Sequence, residues 1–459
     1  MTTAVRLAGS GAAANAADWL RGEILDAAAA AGPRLGPVAH ALVLTGSVAR
    51  GEATVSRTRS GWRVHGDAEF LVIIPEGVRA TPAATEVARA AVARALAARA
   101  INCPVSLHLA SRSYLRRMRP HIFGCELQVH GRVAWGQPDV LNAIPHLALS
   151  AIPPEDGWHL LSNRIVEFLE AAAANASGAP DAPDLAYTAV KLGVDLGASL
   201  LVAAGAFQPS YRSRQRALAA WVRQAAPVTS AIPLAEIVAA VSVCTDWKLE
   251  ASAWPPPGSA RVVAWLVPLA YQLWAWELHR LAGGSPIAAT TALADWRTNW
   301  RCHAARQGLS VRLRGWLHLW RARRAWSTPQ LWGHWAPMAR VASPRLWVYR
   351  AAAELLSAGP AWPAPSTRPD HDSFQPWRWD GDARHACASP GGPSRSAAHV
   401  AQGAAPCRAA VAGRSAAIPE RLCRLPDPAL LRSVPGAGWE SQAAAIAAHY
   451  HAYLEDTRS

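Results

Sequence analysis

Lysine is nearly absent from this chain. Of its 46 basic side chains, only Lys191 and Lys248 are lysines, and the rest are arginines. A formal net charge of +14 would ordinarily indicate an anionic partner such as nucleic acid. Here alanine, proline and tryptophan are abundant as well. A GC-rich coding sequence would produce this composition, including the arginines, without any selection for binding. The charge therefore leaves nucleic acid open as a partner without favouring it.

Cysteines are few, and long apolar runs are absent. The seven cysteines include no C-x-x-C pair, so they indicate neither a disulfide framework nor a zinc site. The two most apolar windows, residues 185–207 and 262–278, are interrupted by charged side chains and do not predict a membrane span. The first twenty residues lack the apolar core of a signal peptide. We expect a cytoplasmic protein.

The length and texture of the chain predict two domains and additional sequence. With 459 residues, 51% of them hydrophobic, the chain exceeds a single compact core. We predict an α+β domain with a mixed sheet at residues 15–150 and an all-α domain at 153–358. Residues 359–438 are dominated by Pro, Gly, Ser, Ala and Arg and are predicted to be largely disordered. A terminal helix is predicted at 439–456.

The α+β prediction depends on the order of elements in the first domain. An alanine-rich helix at 15–31, with Asn15 as a candidate N-cap, precedes a short apolar strand at 39–45. A polar insertion at 53–65 is expected to form a hairpin or loop. It is followed by a strand at 69–74, a helix at 85–99 and a strand at 105–109.

Two acidic residues open the second of these strands, in the segment GDAEFLVII. Asp67 and Glu69 are separated by one residue, so on an extended strand both side chains point to the same face. Their oxygens can then converge on one cation, and paired carboxylates suit Mg²⁺. The alternative interpretation is a solvated strand start in which the acids have no ligand.

A glycine turn ends the first strand, in the segment LVLTGSVARGE. Gly46 lets the backbone come close to a phosphate, and Ser47 offers a hydroxyl and an N–H to phosphate oxygens. Arg50, a few residues later, could reach the same phosphate. For Arg50 and Glu52 an ion pair at an exposed helix start is an equally good interpretation.

The Gly-Ser turn after one strand, followed by an acid-x-acid pair opening the next, resembles the signature of nucleotidyltransferases of the DNA polymerase beta superfamily. The resemblance extends to antibiotic-type and minimal nucleotidyltransferases with a helical second domain. It implies transfer of a nucleoside monophosphate from ATP or another nucleoside triphosphate to a hydroxyl of a small molecule or protein. By the same resemblance, Asp67 and Glu69 would hold two Mg²⁺ ions, and Gly46 and Ser47 the triphosphate.

One expected feature of that family is missing. Active members carry a third carboxylate on a later strand, whereas the corresponding segment here reads VSLHL and contains no acid. His108 is a poor ligand for Mg²⁺, and Glu126 is a candidate to supply the charge. Two alternatives follow: a catalytically degenerate nucleotide-binding or regulatory protein of the same fold, or a template-independent nucleotidyltransferase acting on RNA ends.

The helical region contributes one further candidate. Tyr187, Lys191 and Asp195 are spaced by four and form a polar stripe on an apolar helix, which requires a partner. In the resembled family this domain walls the acceptor side of the cleft, which would let Lys191 contact triphosphate oxygens. An ion pair between Lys191 and Asp195 is the alternative.

An arginine- and tryptophan-rich stretch at 296–326 has two interpretations. It could line a groove for a polyanion or lie on a membrane surface. We favour a core helix, because Trp316 and Trp320 would share one face and pack inward.

Overall fold

The computed structural model describes residues 11–78, 82–179, 182–225, 232–250, 254–256, 258–284, 292–322, 338–358 and 439–457. Within these residues, an N-terminal region of helices and mixed sheets precedes a mostly helical remainder. This agrees with the predicted order of an α+β part followed by an α part. The segment 359–438, predicted to be disordered, lies outside the described residues.

The strands form two sheets. The strands are β1 (Ala41–Thr45), β2 (Thr54–Thr58), β3 (Gly61–His65), β4 (Ala68–Ile74), β5 (Ile101–Asn102), β6 (Val105–Ser111) and β7 (Arg132–Gly136). The larger sheet has the order β6-β4-β1-β7, in which β4 pairs antiparallel with β1 and parallel with β6. The sheet is therefore mixed, as predicted. Its register places Thr45, the last residue of β1, opposite Glu69.

The polar insertion forms a hairpin, which confirms the prediction for residues 53–65. Strands β2 and β3 pair antiparallel, and β5 adds to β3 in a separate three-stranded sheet. The helices of this region are α1 (Gly11–Ala31), α2 (Gly46–Ala49), α3 (Pro82–Ala97), α4 (Arg112–Arg116) and α5 (Ile122–His130). Because α1 already includes Gly11, the prediction of Asn15 as its N-cap is wrong.

The rest of the described chain is mostly helical. They are α6 (Pro154–Ala176), α7 (Leu185–Ala203), α8 (Tyr211–Ala225), α9 (Leu234–Glu250), α10 (Ser259–Leu281), α11 (Trp296–Arg306), α12 (Leu309–Ala322), α13 (Pro344–Ala358) and α14 (Trp439–Thr457). Asp184 caps α7 by accepting a hydrogen bond from the Tyr187 N–H, at 3.1 Å. Such a cap satisfies one of the free N–H groups at the start of a helix.

Helix α7 joins the two regions. Ala198 and Val202 on α7 pack into the apolar layer on one face of the large sheet, together with Val43 and Leu71. The other side of α7 lies in the helical core around Trp158, which is fully buried. Among the described helices, α7 is long and apolar enough to cross a membrane, but 78% of its apolar window is buried inside the protein. That burial is typical of a core helix.

The arginine- and tryptophan-rich stretch contributes to the core, as we favoured. Trp296 and Trp300 on α11 are buried, and the indole N–H of half-buried Trp316 donates to the Ala342 carbonyl at 2.8 Å. The side chain of Trp320 lies outside the part of the chain that the structure describes. Elsewhere on α12, Leu313 remains 55% exposed.

Two glycine-to-alanine substitutions test the packing of α7 against α9. A Cβ at Gly193 would lie 2.2 Å from the Cys244 sulfur, so Gly193→Ala forces the helices apart. Overpacking of this kind costs about 1–3 kcal/mol, and we expect a lower unfolding midpoint in a thermal melt followed by circular dichroism. The matched control is Gly22→Ala at an exposed position of α1, where nothing lies within 4 Å of the added Cβ. There we expect a gain of about 0.5–1 kcal/mol. Equal shifts of the two melts would contradict the packing described.

Candidate functional site

The acid pair lies at the start of β4, beside the end of β1. Asp67 directly precedes the strand and Glu69 is its second residue; both are half-buried. Burial raises the pKa of the Glu69 carboxyl above its ordinary value, and the negative charge of Asp67 raises it further. The two carboxylates are therefore close enough to repel each other, and a cation between them would relieve that repulsion.

The glycine turn adjoins Glu69. Gly46 has a φ of +69°, and a Cβ built on it would stand 2.8 Å from Glu69 Oε2. A side chain at this position would therefore both strain the turn and fill the space above the carboxylate. Ser47 follows, half-buried, and its hydroxyl has no hydrogen-bond partner among the described residues. The structure thus brings Gly46, Ser47, Asp67 and Glu69 together.

Ser106 occupies the strand position beside the acid pair, on the strand where the family resemblance implies a third carboxylate. Strand β6 runs parallel to β4, with Ser106 opposite Glu69 and His108 opposite Leu71. The Ser106 hydroxyl donates to Asp67 Oδ2 at 2.5 Å. The position next to the acid pair is therefore polar and carries a hydroxyl in place of an acid.

The donor set fits Mg²⁺ held jointly with a ligand. Mg²⁺ is commonly bound by one or two carboxylates together with substrate phosphates and water, and Asp67 and Glu69 match that pattern. In the described part of the chain, no three His, Cys, Asp or Glu side chains are grouped to hold a metal. An ion at this site would thus need oxygens from a bound ligand or water to complete its coordination.

Helices α6 and α7 place cations opposite the acids. The positive charges of Lys191, Arg164 and Arg50 act on Glu69 and oppose the rise of its pKa. The Lys191 ammonium donates to Glu167 Oε2 at 3.0 Å, while Arg164 donates to Asp195 Oδ2 at 2.5 Å and to Glu167. The alternative interpretation, an ion pair between Lys191 and Asp195, is therefore wrong, because α6 supplies each of these residues with an opposite charge.

Glu167 connects these two cations. Burial alone would raise its pKa, but Arg164 and Lys191 outweigh that effect and lower the pKa of Glu167 to about 2. Lys191 keeps 27% of its side chain exposed. The polar stripe of α7 thus has its partner on α6, and Lys191 retains access to solvent.

Arg50 and Glu126 are engaged elsewhere. The Arg50 side chain, 4% exposed, pairs with Glu52 Oε2 at 3.0 Å and with Glu126 Oε2 at 2.6 Å. The other oxygen of Glu126 pairs with Arg214, whose side chain is 3% exposed. The assignment of Arg50 to phosphate and that of Glu126 to the metal site are both unsupported, because each side chain neutralises the other. The ion pair with Glu52 was foreseen, but it is buried and not exposed.

Several residues of this region were missed from the sequence. Arg164 and Glu167 are spaced by three on one helix, which is a signal for an ion pair but not for its position beside the acids. Arg214 gave no signal, since its partner Glu126 is 88 residues away. Lys248, which is buried near Tyr187, could have been noticed only as one of two lysines.

The Glu126 ion pairs generate a stability prediction. Removing one partner of a buried pair leaves an uncompensated charge and costs about 3–5 kcal/mol. Glu126→Gln should therefore lower the urea midpoint strongly at pH 7. The matched control is Glu76→Gln, at an exposed carboxyl beyond the end of β4, which should change little.

The pH dependence of this effect has a defined sign. Burial would raise the pKa of Glu126, but Arg50 and Arg214 outweigh it and lower the pKa below 4.5. The stabilisation is thus fully present above the unfolded pKa and is lost as pH falls through the folded one. We expect the difference in unfolding free energy between the natural protein and Glu126→Gln to become smaller below about pH 4.5. A difference in unfolding free energy that stays constant as the pH falls below this value would contradict a charged pair.

Comparison with known proteins gives no assignment. No family model matches the chain, and no curated protein or solved structure matches it either.

Proposed function

We propose that this protein binds a magnesium complex of ATP or another nucleoside triphosphate and transfers the nucleoside monophosphate to a hydroxyl of a small molecule or protein. The observation that carries the proposal is the close approach of Gly46 to the Glu69 carboxylate. A turn that lets backbone approach a phosphate lies directly against a paired carboxylate. That juxtaposition suits a phosphate and its cation arriving together.

Each residue of the site has a task in this reaction. Asp67 and Glu69 would hold the ion, which when bound neutralises charge on the phosphates. Gly46 leaves room for the triphosphate, and the Ser47 hydroxyl is available to donate to it. Lys191 and Arg164 supply positive charge on the opposite wall. The acceptor oxygen bonds to the α-phosphorus while the bond to the departing pyrophosphate breaks.

Calorimetry of ATP binding tests the site. We expect the natural protein to bind ATP only with Mg²⁺ present, since the phosphates and the acid pair must share the ion. The double variant Asp67→Asn plus Glu69→Gln should weaken that binding by at least about 100-fold, or 2.7 kcal/mol. Glu76→Gln is the control, because it removes one negative charge from the exposed turn after the same strand.

Two outcomes would contradict the proposed site. If the natural protein bound no nucleoside triphosphate, the function itself would be wrong. If the double variant bound as tightly as Glu76→Gln, the nucleotide would lie elsewhere. The raised pKa of Glu69 means that this carboxylate becomes protonated at a higher pH than an ordinary one. We therefore expect Mg²⁺-dependent binding to weaken on acidification at a higher pH than it would with two carboxylates of ordinary pKa.

A catalytically degenerate nucleotide-binding protein is the second candidate. The observation that favours it is Ser106, which stands beside Asp67 where a third carboxylate was expected. Release of pyrophosphate from Mg²⁺-ATP, followed across a set of polyhydroxylated acceptors, separates the two functions. Tight binding without any release would support the degenerate protein, whereas acceptor-dependent release supports the enzyme.

An enzyme acting on RNA ends is less well supported. That function needs unpaired basic side chains leading to the acids. Arg50, Arg164, Arg212 and Arg214 are instead ion-paired with carboxylates of the protein.

A further inference from the structure

Lys248 is a buried lysine without an acidic partner. It lies near the end of α9 with 2% of its surface exposed, and it forms no ion pair with any carboxylate in the described ranges. Its ammonium nitrogen instead lies 3.3 Å from the phenol oxygen of Tyr187. The same nitrogen stands 4.9 Å from the Tyr187 ring centre and 5.1 Å from that of Tyr211. Lysine is almost never fully buried unless it is paired.

Tyr187 connects this lysine to the acid pair. Its phenol oxygen lies so close to Gly66 that a Cβ there would be 2.5 Å away, and Gly66 directly precedes Asp67. Burial raises the pKa of Tyr187 well above its ordinary value, and the charges of Asp67 and Glu69 contribute to that rise. The phenol therefore keeps its proton while standing between Lys248 and the acids.

The surroundings of Lys248 favour its neutral form. Burial lowers the pKa of Lys248 to about 7, and neighbouring cations contribute to the fall. The charged groups facing it are Lys191 and Asp195 on α7, Arg164 on α6 and Arg50 after α2, and of these only Asp195 raises the pKa. Because the cations outnumber the one acid, an uncharged amine is accessible near neutral pH.

We propose that Tyr187 and Lys248 form a proton relay that takes up the proton of the attacking hydroxyl. The relay rests on the proposed nucleotidyl transfer, and it would serve the purpose of the carboxylate that Ser106 replaces. As the acceptor oxygen bonds to the α-phosphorus, its proton passes to the Tyr187 oxygen. Tyr187 gives its own proton to the lone pair of the Lys248 amine, and pyrophosphate leaves with the electrons of the broken P–O bond.

The first test is the pH profile of pyrophosphate release from Mg²⁺-ATP with glycerol as the hydroxyl donor. We expect the rate of the natural protein to rise with pH through an inflection near the pKa of Lys248. Lys248→Met and Tyr187→Phe should each lower the rate by about 100-fold or more and abolish the inflection. Tyr211→Phe is the matched control, since it keeps the second ring under the ammonium and should retain the natural profile.

Measurements of ATP binding distinguish failure of the proton relay from failure of the proposed nucleotidyl transfer. Lys248→Met replaces an unpaired buried amine with an apolar side chain of similar length and leaves no charge without its partner. We therefore expect its affinity for Mg²⁺-ATP to stay within about threefold, or 0.65 kcal/mol. If the natural protein binds no ATP or releases no pyrophosphate, both proposals fail. If it does both while Lys248→Met keeps the rate and the inflection, the relay alone is overturned.

A second test needs no turnover. Because the chain has only two lysines, protein labelled with ¹³C at the lysine ε carbon gives two side-chain signals, which Lys191→Arg assigns. We expect the Lys248 signal to titrate at about 7, as burial and its neighbours require, and to move in Tyr187→Phe but not in Tyr211→Phe. Titration of Lys248 at the ordinary value of 10.5 would overturn the relay.

Discussion

The buried ion pairs of Glu126 constrain the rest of the structure. Glu126 on α5 accepts from Arg50, which follows the glycine turn, and from Arg214 on α8. A guanidinium cannot lose its proton in a protein, so a buried arginine needs a compensating negative charge, which here is the Glu126 carboxylate. The sheet region and the helical region must therefore meet at this carboxylate. Their meeting fixes the turn that begins with Gly46 next to the start of β4.

A second layer of charge follows from that arrangement. With the sheet held against the helices, α6 and α7 bring Arg164 and Lys191 to the face of Glu69. These cations are themselves balanced by Glu167 and Asp195. Because these cations are already paired, the acid pair keeps an excess of negative charge, which a bound cation would offset. Lys248 differs from these cations, because it has no acidic partner within the described residues.

Short-range features were predictable from the sequence, and long-range pairing was not. The hairpin at 53–65 and the helices from α6 to α10 follow from periodicity and turn residues, which act over a few positions. The closeness of Asp67 to Glu69 follows from the two-residue period of a strand. The sequence did not indicate the long-range ion pairs of Arg50, Glu126 and Lys191, and the cause is the same for all three. Each of these side chains pairs with a residue on another element. Arg50, for example, pairs with Glu126, which is 76 residues away along the chain.

The sequence by itself therefore determined the mixed sheet, the succession of helices, and the neighbouring positions of Gly46, Asp67 and Glu69 in a strand, turn and strand. Only the tertiary structure decided which charges are free and which are neutralised. In that structure Arg50 forms an ion pair with Glu126, Ser106 lies beside Asp67, and Lys248 is buried against Tyr187. The physical reason is that hydrophobic periodicity acts locally along the chain, whereas the state of a charged group depends on whatever packing brings within a few ångströms of it.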